Sequence, residues 1–438
     1  MKQVLKLLLT TLAKAYVRRY RPQIIAVTGN VGKTSTKEAI AAVLCGQKSF
    51  RVSGGNLNNE IGVPLAILGD WSEKYYRRGG TLFFWLKVLV AGFVGLLGRC
   101  KKYPEILLME YGADKPGDIA KLAANFKPHI ALVTAVGEVP VHVEYFSGPE
   151  GVSEEKSELI KSLENTDFAI LNFDDPVVLG MKEKTKAKIL TFGFGEGAIV
   201  KTSNFDFRAG ENDEPLGTVF KLHYGESFVP VKLNGSLGKS QAWSASAAAA
   251  VGLILGLNLV QISEALTNYQ GPAGRLRILK GIKNSWIIDD TYNAAPASMH
   301  LALETLKELP VNPLARRAGK KIAILGDMLE LGQYSIAAHR ETGSFAGSFV
   351  DILFTVGPGG RLIADSAGNQ MSKENIFNFK TSLEAGKKVQ EIIREGDLIL
   401  AKGSQGMRME RVVEKIMAEP ERKKELLVRQ SEKWLNKT

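Results

Sequence analysis

The sequence predicts an α/β protein with two parallel-sheet domains. A glycine-rich turn at residues 28–36 lies between an apolar run and a helix-like segment, which is the order strand, phosphate loop, helix. Short apolar runs then alternate with helix-like stretches, and a second alternation of this kind begins after residue 274. Such alternation is typical of parallel sheets covered by helices. We therefore expect a P-loop-type ATPase domain followed by a Rossmann-like α/β domain.

Predicted strands and helices follow one another in both domains. The strands predicted for the first domain lie at residues 24–27, 106–109, 129–134 and 168–171, and the helices at 119–125, 152–163 and 242–255. Between residues 198 and 233, short alternating runs broken by glycine predict antiparallel hairpins. The strands predicted for the second domain lie at residues 286–289, 322–325, 352–356 and 398–401, and the helices at 298–308, 337–345 and 383–393. We expect residues 419–438 to form a solvated charged helix or tail.

These patterns divide the chain into three parts. Residues 1–22 are predicted to form a basic amphipathic helix, residues 23–271 the central ATP-binding domain and residues 272–438 the C-terminal domain. An apolar insertion interrupts the central domain at about residues 72–103. A chain of 438 residues is too long for one hydrophobic core, which agrees with this division.

Composition limits the compartment more than the function. The net charge of +11 is compatible with a nucleic acid, a membrane surface or anionic small substrates, and it selects none of them. The two cysteines, Cys45 and Cys100, can form neither a disulfide framework nor a metal cluster, which suits a reducing compartment. We therefore expect a cytoplasmic protein.

Two apolar segments resemble membrane spans. Residues 1–21 carry six basic and no acidic side chains, and their apolar side chains fall on one helical face. Residues 82–97 are almost wholly apolar but shorter than the about 20 residues that a span needs. Basic residues flank this second segment, as they do in helices that lie among lipid headgroups. Two interpretations stay open: peripheral contact of 1–21 and 82–97 with the inner face of the membrane, or burial against the protein or a partner subunit.

The glycine-rich turn is the most informative single motif. Its glycines let successive N–H groups face an anion at a helix N-terminus, while Lys33 supplies charge and Thr34 a hydroxyl for Mg²⁺. Two residues separate Gly29 from Gly32, where the common phosphate-loop pattern has four. The residues predicted to bind ATP here are Thr28, Gly29, Asn30, Val31, Gly32, Lys33, Thr34 and Ser35.

Four further motifs follow the phosphate loop. They are Asn-Leu-Asn-Asn-Glu-Ile-Gly-Val-Pro at 56–64, Asp-Asp-Thr-Tyr-Asn-Ala-Ala-Pro-Ala-Ser-Met at 289–299, Leu-Gly-Asp-Met-Leu-Glu-Leu-Gly at 325–332 with Ala-His-Arg at 338–340, and Lys-Gly-Ser-Gln-Gly-Met at 402–407. Together with the loop, and in this order, they resemble the motifs of the Mur ligase family, in particular its MurF type. The resemblance extends over most of the chain.

This resemblance implies an ATP-dependent ligase that forms an amide bond by way of an acyl phosphate. A carboxylate is a poor acyl donor, so the γ-phosphoryl group is first transferred to it in a site that offers metal and basic groups. In this type of ligase the acceptor is a UDP-N-acetylmuramoyl-tripeptide and the amine is D-alanyl-D-alanine, in peptidoglycan precursor synthesis. The implied cofactors are ATP and Mg²⁺, and no nucleic acid is an implied partner.

The resemblance also assigns metal ligands. Glu110, at the end of a predicted strand, would hold Mg²⁺ with Thr34. His142 would ligate a second Mg²⁺ with Lys156, which is carbamylated in the family, and a carbamate supplies oxygen ligands where an amine cannot. The residues alone favour an ion-pair partner on the surface for Lys156 and leave His142 open as a structural histidine.

Other roles come from the same source. Arg275 would contact the nucleotide phosphates, which makes domain closure part of catalysis. The implied catalytic residues are thus Lys33, His142, Lys156 and Arg275. Further contacts to ATP are implied for Gln241, Asp290 and Asn293. The implied substrate-binding residues are Asn58, Asn59, Tyr292, Asn293, Pro296 and Ser298. A simple strand-to-helix turn also explains Asn293 and Pro296.

The chain departs from the family pattern in three places. Only 22 residues precede the nucleotide strand, so we expect the domain that holds the UDP end to be missing. Residues 238–244 read Gly-Lys-Ser-Gln-Ala-Trp-Ser where the family often has Gly-x-His-Asn-x-x-Asn, and the apolar insertion is the third departure. The alternatives are a related ligase with a lipid-linked or other acceptor at the membrane, and a non-catalytic ATP-binding scaffold.

Overall fold

Two β-sheets organise the chain in the computed structural model, which describes residues 2–55, 57–98, 103–210, 215–311 and 319–435. Within these residues the first sheet has nine strands in the order β2-β3-β1-β4-β5-β6-β7-β8-β9. The strands are β1 (Gln23–Thr28), β2 (Phe50–Val52), β3 (Ile106–Glu110), β4 (Ile130–Val133), β5 (Phe168–Asn172), β6 (Lys188–Gly193), β7 (Val200–Ala209), β8 (Pro215–Tyr224) and β9 (Ser227–Asn234). The pairs from β2 to β7 are parallel, whereas β7, β8 and β9 are antiparallel neighbours.

Helices cover both faces of this sheet. They are α1 (Lys2–Tyr20), α2 (Lys33–Leu44), α3 (Gly62–Leu68), α4 (Ser72–Arg78), α5 (Leu82–Leu97), α6 (Asp118–Asn125), α7 (Pro149–Lys161), α8 (Pro176–Leu179), α9 (Lys239–Ile254) and α10 (Leu259–Leu266). Successive residues of a strand point to opposite faces, so Ile24 packs in the core under α1, α3 and α7 while Ile25 packs in the core under α2 and α9. Both faces of the parallel strands are therefore buried, as their continuous apolar sequence requires.

Helices α1 and α5 form an added layer beside the first core. The hydroxyl of Tyr16 donates a hydrogen bond to the carbonyl of Gly92 (3.0 Å), and that of Tyr20 donates to Gly95 (2.9 Å). The two glycines permit this close approach, since a Cβ on Gly92 would lie 2.5 Å from the Leu12 side chain. Both predicted helices thus form with one face against the protein. No helix in the described part of the chain has the length and apolarity to cross a membrane.

The second sheet lies in the C-terminal half. Its described strands follow the order β10-β11-β15-β12-β13-β14, and β10 is antiparallel to β11 while the others are parallel. The strands are β10 (Arg277–Lys280), β11 (Trp286–Asp290), β12 (Lys321–Gly326), β13 (Ile352–Val356), β14 (Ile376–Phe379) and β15 (Leu398–Lys402). The helices are α11 (Pro296–Glu308), α12 (Ser335–Gly347), α13 (Pro358–Ala367), α14 (Ser382–Ile392), α15 (Glu410–Ile416), α16 (Lys423–Leu426) and α17 (Glu432–Leu435). The predicted fold class is confirmed.

Of two predictions about the glycine-rich segment and the C-terminal tail, the first is confirmed and the second needs correction. The hairpins predicted between residues 198 and 233 form, but they continue the nine-stranded sheet as its antiparallel edge. The predicted solvated tail is wrong in its middle, because the side chain of Arg429 is 4% exposed and pairs with the buried Glu410. Arg429 also donates to the backbone carbonyls of Thr291 and Tyr292, so this segment supports a motif of the site.

Candidate active site

A cavity of about 300 Å³ lies where the two halves of the chain meet, at the carboxyl ends of β1, β3 and β11. Ligands of α/β sheets bind at such strand ends. The cavity brings together predicted site residues from both halves of the chain: Asn30, Val31, Lys33, Asn58, Asn59, Glu110, His142, Lys156, Arg275, Tyr292, Asn293 and Ser298. The sequence did not single out Asp114, which lines it as well.

The phosphate loop closes tightly although it is short. Gly29 has φ 135° and Gly32 has φ 86°, so both adopt backbone that favours glycine, and α2 begins directly at Lys33. A Cβ on Gly29 would lie 2.1 Å from the hydroxyl oxygen of Thr134. The backbone N–H of Asn30 donates to the carbonyl of Ala135 (2.6 Å), which ties the loop to the end of β4. The two glycines and this hydrogen bond therefore hold the loop in a tight turn, although it is two residues shorter than the common phosphate loop.

Lys33 points back over the loop. Its ammonium group donates to the carbonyl of Gly29 (2.9 Å), and burial lowers the pKa of Lys33, which the charge of Glu110 partly offsets. Thr28 and Ser35 are buried beside the loop, where the Thr28 hydroxyl donates to the carbonyl of Tyr111. Free N–H groups at a helix N-terminus with a half-buried lysine beside them are the arrangement that binds a phosphate group.

Glu110 is buried at the end of β3, as its place at the end of a predicted strand suggested. The hydroxyl of Thr34 donates to one carboxylate oxygen (3.3 Å), and the amide of Asn58 donates to the other (3.4 Å). Hydroxyl and carboxylate oxygens are the donors that Mg²⁺ prefers, so this pair fits the ion chemically. Asn58, predicted to bind substrate, therefore also orients the predicted metal ligand, while Asn59 accepts N–H bonds at the start of α3.

Lys156 lies inside the cavity wall, 3% exposed. Burial first, and then the charge of Lys33, lower its pKa from 10.5 to about 7. The interpretation of Lys156 as a surface ion-pair partner is wrong, because Glu154 and Glu158 contact Lys161 instead. A neutral amine is a poor ligand for Mg²⁺, whereas a carbamate on the same nitrogen would present oxygen.

His142 also lines this cavity. Its Nδ1 lies 2.5 Å from Oε2 of Glu330, which belongs to the C-terminal half of the chain. Burial lowers the pKa of His142, and the nearby Glu330 acts against this shift. His142 and Glu330 both have positive φ, 67° and 63°, in backbone that such residues rarely adopt. The sequence did not predict this contact, because nothing in it relates two residues so far apart.

Arg275 projects from the linker between the two halves. Its guanidinium lies over the ring of Tyr292 at 3.8 Å, and its buried Nε has no hydrogen-bond partner among the described residues. A buried donor without a partner is costly, and a phosphate oxygen would satisfy it. The amide of Gln241 donates to the backbone carbonyl of Arg275 (2.7 Å) and accepts from the hydroxyl of Tyr269 (2.7 Å). Gln241 thus holds Arg275 in place.

The last two residues of β11, Asp289 and Asp290, hold the linker. Asp290 accepts from Lys402 Nζ (2.6 Å) and from the N–H of Leu276 (3.2 Å), so both of its carboxylate oxygens are used within the protein. The predicted ATP contact of Asp290 stays a prediction. Asp289 accepts from Gly274, and burial raises its pKa to about 6. Asn293 accepts from the N–H of Gln405 (3.2 Å) and lines the cavity.

A second, mostly apolar cavity of about 430 Å³ lies on the other side of Val31. Trp243 lines it, and the indole N–H donates to Asp174 (2.7 Å). Pro296 lies here and not in the first cavity, while Ser298 bonds to the backbone of Ala295 at the start of α11. The sequence analysis did not predict this cavity, although Trp243 lies in the segment 238–244 that departs from the family pattern.

Comparisons with known proteins identify relatives over most of the chain. A model of the Mur ligase middle domain matches residues 93–252, and one of the Mur ligase glutamate ligase domain matches residues 274–405. The UDP-N-acetylmuramoyl-tripeptide–D-alanyl-D-alanine ligase of Bacillus subtilis is 30% identical over 416 residues, which cover 94% of this chain and 79% of that protein. The Escherichia coli protein of the same name is 29% identical over 410 residues, or 91% of this chain and 78% of its own length.

Solved structures agree with these relatives. A crystal structure of MurF from Acinetobacter baumannii superimposes with a TM-score of 0.73 at 27% identity and covers 93% of this chain and 79% of its own. MurF from Thermotoga maritima in complex with ADP gives the same score and identity and covers 95% and 84%. The prediction that a domain for the UDP end is missing stays a prediction.

Proposed function

The chain belongs to the Mur ligase family, and we propose that it joins D-alanyl-D-alanine to a UDP-N-acetylmuramoyl-tripeptide at the expense of ATP. The observation that carries the proposal is the shared cavity, in which the phosphate loop, Glu110, Lys156 and Arg275 converge from both halves of the chain. Such convergence is hard to reconcile with a scaffold, because a scaffold has no need of cations facing each other in a closed space.

The reaction has two steps. In the first, a carboxylate oxygen of the tripeptide attacks the γ-phosphorus of ATP, the bond to the bridging oxygen breaks, and ADP leaves. In the second, the amine nitrogen of D-alanyl-D-alanine attacks the acyl carbon, inorganic phosphate leaves, and the nitrogen loses a proton. The product is an amide bond, and each ATP yields one ADP and one phosphate.

The chain's own residues would serve both steps by position and charge. Lys33 at the start of α2 would bind the β- and γ-phosphate oxygens, and Arg275 would satisfy its buried Nε on the transferred group. The apolar cavity beside Val31 and Trp243 suits the nucleoside end of ATP, because it adjoins the loop. Tyr292, fixed beneath Arg275, would then face the acceptor or the amine.

Two magnesium sites belong to the proposal. Thr34 and Glu110 would hold one ion, and His142 with a carbamylated Lys156 would hold the other. Mg²⁺ supplies charge neutralisation on the phosphate oxygens.

Phosphate release from ATP by the purified chain tests the proposal. With UDP-N-acetylmuramoyl-tripeptide and D-alanyl-D-alanine we expect phosphate to equal a new pentapeptide product in mass spectrometry, and we expect no product without the dipeptide. Arg275→Ala should lose turnover, whereas Arg277→Ala, two residues on in β10, should retain it. Protein that is folded and binds ADP but gives no product would refute this acceptor and direct the search to a lipid-linked one.

A further inference from the structure

Helix α5 leaves a large apolar face uncovered. Phe84, Val88 and Gly92 are buried against the protein, whereas the opposite face is open. The exposed large side chains on that face are each between 54% and 78% exposed: Leu82, Phe83, Leu86, Val90, Phe93, Val94 and Leu97. Neighbouring α1 adds Val4, Leu7 and Leu8. Scattered exposed leucines are ordinary, but a stripe that runs the whole length of a helix indicates an interaction site.

The charges on α1 and α5 favour an anionic binding partner for this face. Neither α1 nor α5 contains an acidic residue, and every charged residue in the two helices is basic, including Lys87 on α5 and the exposed Arg18 and Arg19 on α1. In a two-fold dimer, the same surface of both copies would form the interface, which would bring like charges together. A bilayer with anionic headgroups offers the opposite charge above an apolar interior.

The dimensions agree with a helix that lies along a surface. At 1.5 Å per residue, the 16 residues of α5 reach about 24 Å, less than the about 30 Å of a bilayer's hydrocarbon core. One side of α5 is also fixed to α1 through the bonds from Tyr16 and Tyr20 to the backbone of Gly92 and Gly95. The helix therefore presents a single face, as interfacial helices do.

We propose that this chain binds flat to the surface of an anionic phospholipid bilayer through the exposed face of α5, with α1 supplying additional apolar and basic contacts. The contact reaches towards the candidate active site, because Lys6 of α1 pairs with Glu60, next to the cavity residue Asn59. The proposal does not depend on which acceptor the enzyme uses.

Vesicle sedimentation with the full chain tests it. At about 0.01 M salt, where charges act over about 30 Å, we expect at least about tenfold more protein on vesicles of equimolar phosphatidylcholine and phosphatidylglycerol than on phosphatidylcholine alone. Binding should weaken at about 0.1 M salt. The double variant F83E/F93E should stay in the supernatant, while V260E/I336E, which changes residues on α10 and α12 that are also more than half exposed, should sediment like the wild type.

Three results would overturn the proposal. The wild type could stay in solution with the anionic vesicles, or bind phosphatidylcholine vesicles equally well. Alternatively, sedimentation velocity without lipid could show a dimer that F83E/F93E dissociates while vesicle binding is absent, which would assign the face to a second copy. Circular dichroism and phosphate release should match the wild type in both double variants, because the changed side chains are exposed and line neither of the two cavities.

Discussion

Lys156 carries the sharpest prediction, namely that its amine takes up carbon dioxide. The neutral nitrogen attacks the carbon of CO₂, a new N–C bond forms, and the nitrogen releases a proton, which leaves a carbamate. Only the neutral amine can react, so the pKa of Lys156 sets how much of it is available. Lys156→Ala and Lys156→Arg both remove the reaction, and the arginine keeps a cation at the position.

The structure supplies the magnitude. With its pKa lowered to about 7 by burial and by Lys33, about half of Lys156 is neutral at pH 7. An ordinary lysine with a pKa of 10.5 would be neutral to about 0.03%, so the reactive fraction rises more than a thousandfold. This fraction should grow from about a tenth at pH 6 to about nine tenths at pH 8.

Carbon-13 NMR with labelled bicarbonate measures the carbamate directly. We expect one carbamate resonance that rises from pH 6 to pH 8, because the neutral fraction of the amine grows and the reaction releases a proton, and none in Lys156→Ala or Lys156→Arg. Both variants should lose most phosphate release, and excess bicarbonate should not restore it. Lys161→Ala is the matched control on the same helix, because Lys161 is exposed and pairs with Glu154 and Glu158. Full activity of Lys156→Ala would refute the role of the carbamate in the reaction.

Three other predictions concern binding and stability. Lys33→Met should weaken ADP binding in calorimetry by about tenfold to a hundredfold, since a charged hydrogen bond is lost; unchanged affinity would contradict the role of the loop. Lys402→Met should lower the free energy of unfolding in urea by about 3–5 kcal/mol, because it leaves the buried carboxylate of Asp290 without its cation. A loss below about 1 kcal/mol would contradict this role of the ion pair. The raised pKa of Asp289, about 6, makes its contribution to stability greatest at low pH, and this contribution falls as pH rises through 6. The stability difference between wild type and Asp289→Asn should therefore shift against the wild type by roughly 1 kcal/mol between pH 5 and pH 7, and a flat difference would refute the shift.

The sequence predicted elements wherever local pattern agrees with packing. Strand β13 matches its prediction residue for residue, because a short apolar run bounded by turns has few alternatives. Helix α13 was missed, since Pro358-Gly359-Gly360 resembles a loop. Gly359 is nevertheless required in the helix, because a Cβ there would lie 2.3 Å from Nε2 of His339. Close packing between α12 and α13, which no local pattern reveals, outweighs the poor helix propensity of glycine.

The candidate site also contains residues that the sequence could predict and residues that it could not. Lys33 and Glu110 could be predicted, because a motif or a strand end fixes where each backbone lies. The burial of Lys156 and Arg429 could not, since their neighbours in sequence suggest an exposed charged helix and a solvated tail. Lys156 is buried in the wall of the cavity that Lys33 also lines, and Arg429 is buried against Glu410, so both positions depend on parts of the chain that are distant in sequence.

The linker shows how the two halves share one site. Asp289 accepts from the N–H of Gly274 and Asp290 from that of Leu276, so the backbone is held on both sides of Arg275. Gln241, from the first half, fixes the carbonyl of Arg275 itself. Only the guanidinium of Arg275 is then free to move when a ligand binds. A phosphate oxygen that accepts a hydrogen bond from its buried Nε would remove the cost of that unpaired donor. Because the same backbone joins the two sheets, a ligand held by Arg275 and the phosphate loop together must favour one arrangement of the domains over all others.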